Sequence, residues 1–221
     1  MTETHPIQDS AFNLLGRLAE NNNREWYHEH KAEFESVVLE PFSQMLEEIS
    51  DELLAEDMRF YGGRNTMFRM NRDVRFSKNK DPYKTNIGGL LTPNGMKSGA
   101  KTFVYLHMDS KGGFAAFGRY KLKASALGPI RDRIIDNPNA FAEIKMDLKS
   151  NGLDLVREGA LKSMPRGYSQ HAEHRHADEL KLKSMMVQIS LKPSDFTSGQ
   201  VVRRVVETAL ACREFIEFVA V

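Results

Sequence analysis

Between residues 69 and 84 the chain carries six Lys or Arg against two Asp, a local charge of +4, interleaved with Phe76, Ser77 and Tyr83. Arg69, Arg72, Arg75, Lys78, Lys80 and Lys84 supply charged donors, and the Ser77 hydroxyl and loop N–H groups add neutral ones. Such an inventory holds phosphate or carboxylate oxygens. Tyr83 adds a ring for stacking and a hydroxyl for hydrogen bonding. Asp73 is a candidate acid or base within this stretch. In an extended run Arg69, Asp73 and Arg75 share one face, so Asp73 can instead pair with a flanking arginine. His30, close in sequence to Trp26, is the other acid/base candidate.

His171, His174 and His176 lie near Glu173 and Asp178 and can supply metal ligands if the chain folds around an ion. Their spacing fits no established metal motif, so a polar, exposed loop or helix start is the expectation and no metal is assigned. The sequence has no Gly-x-x-x-x-Gly-Lys-Ser/Thr phosphate loop, Gly-x-Gly-x-x-Gly turn, Gly-x-Ser-x-Gly elbow or cysteine-based zinc spacing. No cofactor is indicated. Three readings follow. The first is a binding module for a small anionic, phosphorylated ligand through residues 69–84. The second is an enzyme acting on a phosphorylated or nucleic-acid substrate, with Asp73 or His30 as acid/base. The third is a network of ion pairs pinning the basic loop against an acidic helical region, with a protein-interaction role. Nucleic acid alone is the weaker partner, because the net charge of the whole chain is only +1.

The elements that must position these residues are legible in the periodicity. Asp9 or Ser10 caps a helix carrying Phe12, Leu15 and Leu18, and Asn21, Asn22 and Asn23 interrupt it. A second helix begins at Asn23, and Pro41 either kinks it or starts the next. Phe42, Met45, Leu46, Ile49 and Leu53 then continue at helical spacing. Residues 24–56 hold ten acidic against two basic side chains, the pattern of a solvated helix face. Residues 66–70, 87–91, 102–108, 114–120 and 185–191 are rich in β-branched and aromatic types and are predicted as strands, with a hairpin turn at residues 110–113. Helices are predicted over residues 123–149, broken at Asn137-Pro138, and after Ser198. The last has an apolar stripe of Val202, Val205, Ala209, Cys212, Ile216 and Val219, which places Cys212 as a buried structural thiol.

The expected fold is α+β: a mainly antiparallel sheet of about four to six strands packed against N-terminal, middle and C-terminal helices. The parts are a helical stretch at 9–56, a sheet-rich centre at 64–120, helices at 123–149 and a final strand and helix at 184–220, within one domain over residues 1–221. No apolar run is long enough to span a membrane, no secretory signal is visible, and a single cysteine fits a reducing compartment, so a cytoplasmic location is expected.

Asn21-Asn22-Asn23-Arg24-Glu25-Trp26-Tyr27, His30-Lys31, the run from Arg72 through Lys80, and Pro82-Tyr83-Lys84-Thr85 together resemble the microbial domain of unknown function family 2461. Glu158 to Lys162, Pro165-Arg166-Gly167-Tyr168 and Leu180 to Ser184 are similar to it as well, so the resemblance runs from about Phe12 to Phe218. It implies one full-length domain and a shared basic segment. It brings no activity, substrate, cofactor or catalytic residue. The family often has a His-Pro step after its Pro-Arg-Gly-aromatic turn, whereas His174 is followed here by Arg175.

Overall fold

Helical periodicity dominates the start of the chain and alternation its centre, and the architecture follows that change. A computed structural model describes residues 6–221. In chain order it contains α1 (Asp9–Glu20), α2 (Arg24–Glu29), α3 (Lys31–Phe34), α4 (Glu40–Ala55), β1 (Asn86–Leu91), β2 (Phe103–Asp109) and β3 (Gly112–Arg119). There follow α5 (Ala124–Asp136), α6 (Pro138–Ser150), α7 (Ala177–Leu180), β4 (Met185–Leu191), α8 (Pro193–Thr197), α9 (Gln200–Ala211) and α10 (Arg213–Val219). The four strands form one antiparallel sheet in the order β1-β2-β3-β4. In its β1–β2 register Asn86 faces Asp109 and Leu91 faces Val104. The α+β class and antiparallel sheet are those the sequence predicts.

The chain divides into two compact units. The first takes the described residues up to Ala115 together with Ser190–Thr208, and the second takes Ala116–Ile189 with Ala209–Val221. In the first unit Phe12, Leu15 and Leu18 of α1 and Phe42, Leu46, Ile49 and Leu53 of α4 are buried, as their spacing requires. Phe12 meets Phe196 of α8 edge-on, with ring centroids 5.8 Å apart. Pro41 sits in the first turn of α4, and the preceding Glu35–Leu39 form a π-helical segment. A proline has no N–H and its ring crowds the carbonyl four residues back, so the turn before it widens instead of continuing as regular α-helix. A side chain at Gly89 would collide with Leu46, so this glycine lets α4 approach the sheet closely.

On β2 the alternation is plain. Val104, Leu106 and Met108 are buried, while Phe103, Tyr105, His107 and Asp109 are half-buried on the opposite face. The predicted turn at residues 110–113 joins β2 to β3, with Asp109 Oδ1 accepting from the Lys111 N–H at 2.7 Å. The strand expected at residues 66–70 is reduced to a single bridge, Met67 opposite Gly89, plus the Phe68 N–H donated to Gly88 O. The chain then leaves β1 because residues 71 and 83 pair with each other.

In the second unit Leu127, Ile130 and Ile134 of α5, Phe141, Ile144 and Leu148 of α6, and Phe215 and Phe218 of α10 are buried. The Asn137-Pro138 break lies between α5 and α6 as predicted. Arg131 is also buried, and its guanidinium is satisfied by Leu180 O at 2.7 Å and Leu182 O at 3.3 Å. The final helix is broken where the sequence predicts continuity. Cys212 is a turn residue between α9 and α10, although all six stripe residues are buried.

Candidate functional site

The foot of the basic loop is fixed by the asparagines that end α1 and begin α2. Asn23 accepts from the Trp26 N–H at 2.9 Å and caps α2. The neighbouring Asn22 reaches across sequence to Tyr83: its Nδ2 donates to Tyr83 O at 3.0 Å, and its Oδ1 accepts from the Tyr83 N–H at 3.1 Å. One carboxamide therefore occupies the place of a neighbouring strand. Tyr83 is buried and stacks on Tyr27 with centroids 4.0 Å apart. On its other side the backbone closes through Arg72 N–H to Pro82 O and Lys84 N–H to Met70 O, each 2.8 Å. Burial, Tyr83 and Glu35 push the Tyr27 hydroxyl above its ordinary pKa, with Arg64 opposing them. Tyr83, predicted as a contact for a ligand, is thus the anchor of the loop.

Between these clamped ends the six cations have different fates. Arg75 grips Asp73 with both prongs of its guanidinium, Nε to Oδ1 at 2.9 Å and Nη2 to Oδ2 at 2.7 Å. Those bonds, the Arg75 N–H and the charge of Arg69 hold the Asp73 carboxyl below its usual range. Lys80 donates to Val74 O at 3.0 Å, and Arg72 lies 3.9 Å from Asp81. Arg69 and Lys78 make no hydrogen bond or ion pair among the described residues. Lys84 Nζ lies 5.4 Å from the centre of the Phe68 ring, and burial, then the charge of Arg69, lower its pKa. None of the six pairs with a carboxylate of residues 24–56, so the acidic helices do not neutralise the loop. Ser77 is half-buried, with its N–H directed to Val74 O at 3.3 Å.

The two acid/base candidates are both engaged. An ionised carboxylate chelated by arginine holds no proton to give. His30 stacks on Trp26, with centroids 4.0 Å apart, and its Nδ1 lies 2.8 Å from Trp26 O. A carbonyl only accepts, so Nδ1 carries the proton and Nε2 is the acceptor of the neutral ring.

Sequence reasoning missed an aromatic surface that adjoins the loop. Phe68, beside Lys84, meets Tyr105 edge-on at 6.1 Å; Tyr105 lies 5.7 Å from Phe114; and His107 stacks on Phe114 at 4.6 Å. Tyr105 and His107 occupy the half-buried face of β2, opposite the core. His107 Nε2 is 3.5 Å from Asp109, while its Nδ1 is 3.3 Å from both the Tyr105 hydroxyl and Asn86 Nδ2. Burial lowers the His107 pKa despite Asp109. The signal was present: alternation from Phe103 to Asp109 puts every second residue outward, and those residues are aromatic or polar. Phe76, interleaved with the loop cations, is 95% exposed, with the Arg75 guanidinium 5.9 Å from its ring centre.

The histidine cluster leads into the start of α7, one of the two expected settings, but its last member is not exposed. His176 is buried, its Nε2 donates to Pro138 O at 2.8 Å, and it packs edge-on against Phe141. His174 Nδ1 accepts the His176 N–H at 3.1 Å. No group of three or more His, Cys, Asp or Glu among the described residues is arranged to hold a metal ion. None of the described helices is long and apolar enough to cross a membrane.

No curated protein and no solved structure matches the chain. A family model does, and it spans both the asparagine clamp and the loop that it holds: the chain belongs to the Conserved hypothetical protein (DUF2461) family, matched over residues 10–218.

Proposed function

We propose that residues 69–84 and the adjoining face of β2 form a binding module for a phosphorylated ligand. One observation carries the reading: Arg69, Lys78 and Lys84 form no ion pair with a carboxylate among the described residues, and the loop bearing them is clamped at both ends. Uncompensated cations on a fixed backbone bind anions without first breaking an ion pair. Arg72 and Lys80 can join them, because an Asp81 carboxylate at 3.9 Å and a carbonyl oxygen are weak competitors for a phosphate. Phe68, Tyr105 and Phe114 would meet a flat ring attached to that phosphate.

A second reading, single-stranded nucleic acid, is favoured by the aromatic ladder and by the exposed Phe76, since every base has a face to stack. Salt dependence tests the two together. With a labelled single-stranded oligonucleotide, neutralising three phosphates predicts a slope of log affinity against log salt of about −2. A slope near zero removes the polymer reading, and failure to bind inorganic pyrophosphate as well removes the module.

A further inference from the structure

A second charged cluster lies in the other unit, far in sequence from the basic loop. Glu179 is only 2% exposed, and its Oε1 accepts from Lys145 Nζ at 2.7 Å and Arg157 Nη2 at 3.1 Å. One carboxylate oxygen thus serves two cations drawn from 34 and 22 residues away. It forms part of the wall of a cavity of about 340 Å³ whose other charged walls are Lys145, Arg157, Arg175, Asp178 and Lys181. That volume falls within the range of small-molecule sites, about 300–1,000 Å³.

The charge in this cavity does not balance. Four cations face two carboxylates. Lys181 is paired with Asp178 at 2.9 Å, Lys145 and Arg157 share Glu179, and Arg175 has only the Asn139 carboxamide oxygen, at 2.7 Å. The surplus is therefore two positive charges. His174, also in the wall, is held below its ordinary pKa by burial and then by the charges of His176, His171 and Arg175, so it adds no charge at neutral pH. For Glu179, burial by itself would raise the pKa, but the hydrogen bond and charge of Lys145, with Arg157, bring it below its usual value. The carboxylate stays ionised and fixes the two cations in place.

Beside Glu179 lies His176, which is 3% exposed. Its Nε2 donates to Pro138 O, so in the neutral ring Nδ1 is an acceptor. That Nδ1 has no hydrogen-bond partner and lies 3.9 Å from Glu179 Oε2. A buried acceptor in this position calls for a donor such as a water, which a dianionic oxyanion does not supply, so it is the surplus cations of the cavity wall that favour an anion.

We infer that this cavity is a second anion site, built for a doubly charged oxyanion of the phosphate-monoester class, with Arg175, Lys145, Arg157 and Lys181 holding its oxygens. The inference does not rest on the loop reading, since no residue is shared. Inorganic phosphate is the probe, titrated into the full chain at constant ionic strength and followed by calorimetry and by the ring-proton NMR signals of His174 and His176. Saturable binding that moves both signals is expected, and Arg175→Ala should weaken it about tenfold by removing one charge-assisted donor. Arg175 is exposed, and its one side-chain hydrogen bond among the described residues is to Asn139, so that variant tests binding without undoing the Glu179 cluster. In Arg69→Ala/Lys78→Ala the histidine signals should move with phosphate as in the wild type, whatever that variant removes of phosphate binding at the loop. Three results would overturn the inference: chloride reproducing the phosphate effect, histidine signals that stay still, or Arg175→Ala binding as tightly as the wild type.

Discussion

Asn22 shows how one side chain decides whether the basic segment is a site or a loose loop. Its two bonds to the Tyr83 backbone are part-buried, and both partners lose them together in Asn22→Ala. The cost should be about 1–2 kcal/mol in urea unfolding. Trypsin cleavage at Lys78 or Lys80 should also accelerate by more than that global loss accounts for, because the foot of the loop opens locally. His107 gives a pH signature. Its folded pKa lies below the ordinary 6.5 because burial disfavours the cation, so the unfolded chain takes up the proton first. Its contribution is therefore intact above that pH and is lost as acidification proceeds from 6.5 toward the lower folded value. His174 shifts in the same direction and adds to the slope. Urea unfolding at a series of pH values should show stability falling through this window, and His107→Gln should make the fall shallower.

At the scale of elements, periodicity carried most of the fold. The stripes of α1 and α4, the outward and inward faces of β2, the Asn137-Pro138 break and the hairpin after Asp109 were all legible, because each rests on contacts close in sequence or on the period of one element. Failures came where distant partners decide. Residues 66–70 have strand composition, yet the pairing of Asn71 with Tyr83 diverts them after one bridge. The burial of Glu179 is not legible in the sequence, because nothing local announces that Lys145 and Arg157 converge on it. The C-terminal stripe concealed a turn at Cys212, since a break that keeps every apolar residue inward leaves the pattern unchanged. The depth of Cys212 was correctly anticipated: it is fully buried, and burial pushes its thiol up to about 12. Ellman's reagent should leave it untouched in the native protein and modify it fully in denaturant.

For the whole molecule, the boundaries between the two units fall inside β3, β4 and α9 rather than in linkers. A break in stability there would have to sever regular hydrogen-bonded structure, and on that ground we propose that the chain unfolds as one domain. Fluorescence of Trp26 and far-ultraviolet dichroism should then trace one coincident transition, and two separated midpoints would refute it. A net charge of +1 conceals the segregation that matters, with acidic helices in one stretch and uncompensated cations in another. If the loop cations hold phosphorylated ligands, Arg69→Ala/Lys78→Ala must differ from the wild type in binding a labelled single-stranded oligonucleotide and inorganic pyrophosphate. Affinity should fall at least about tenfold with an unchanged unfolding midpoint. Undiminished affinity for both probes, or a double variant that loses stability while binding as before, would contradict a binding role for the loop.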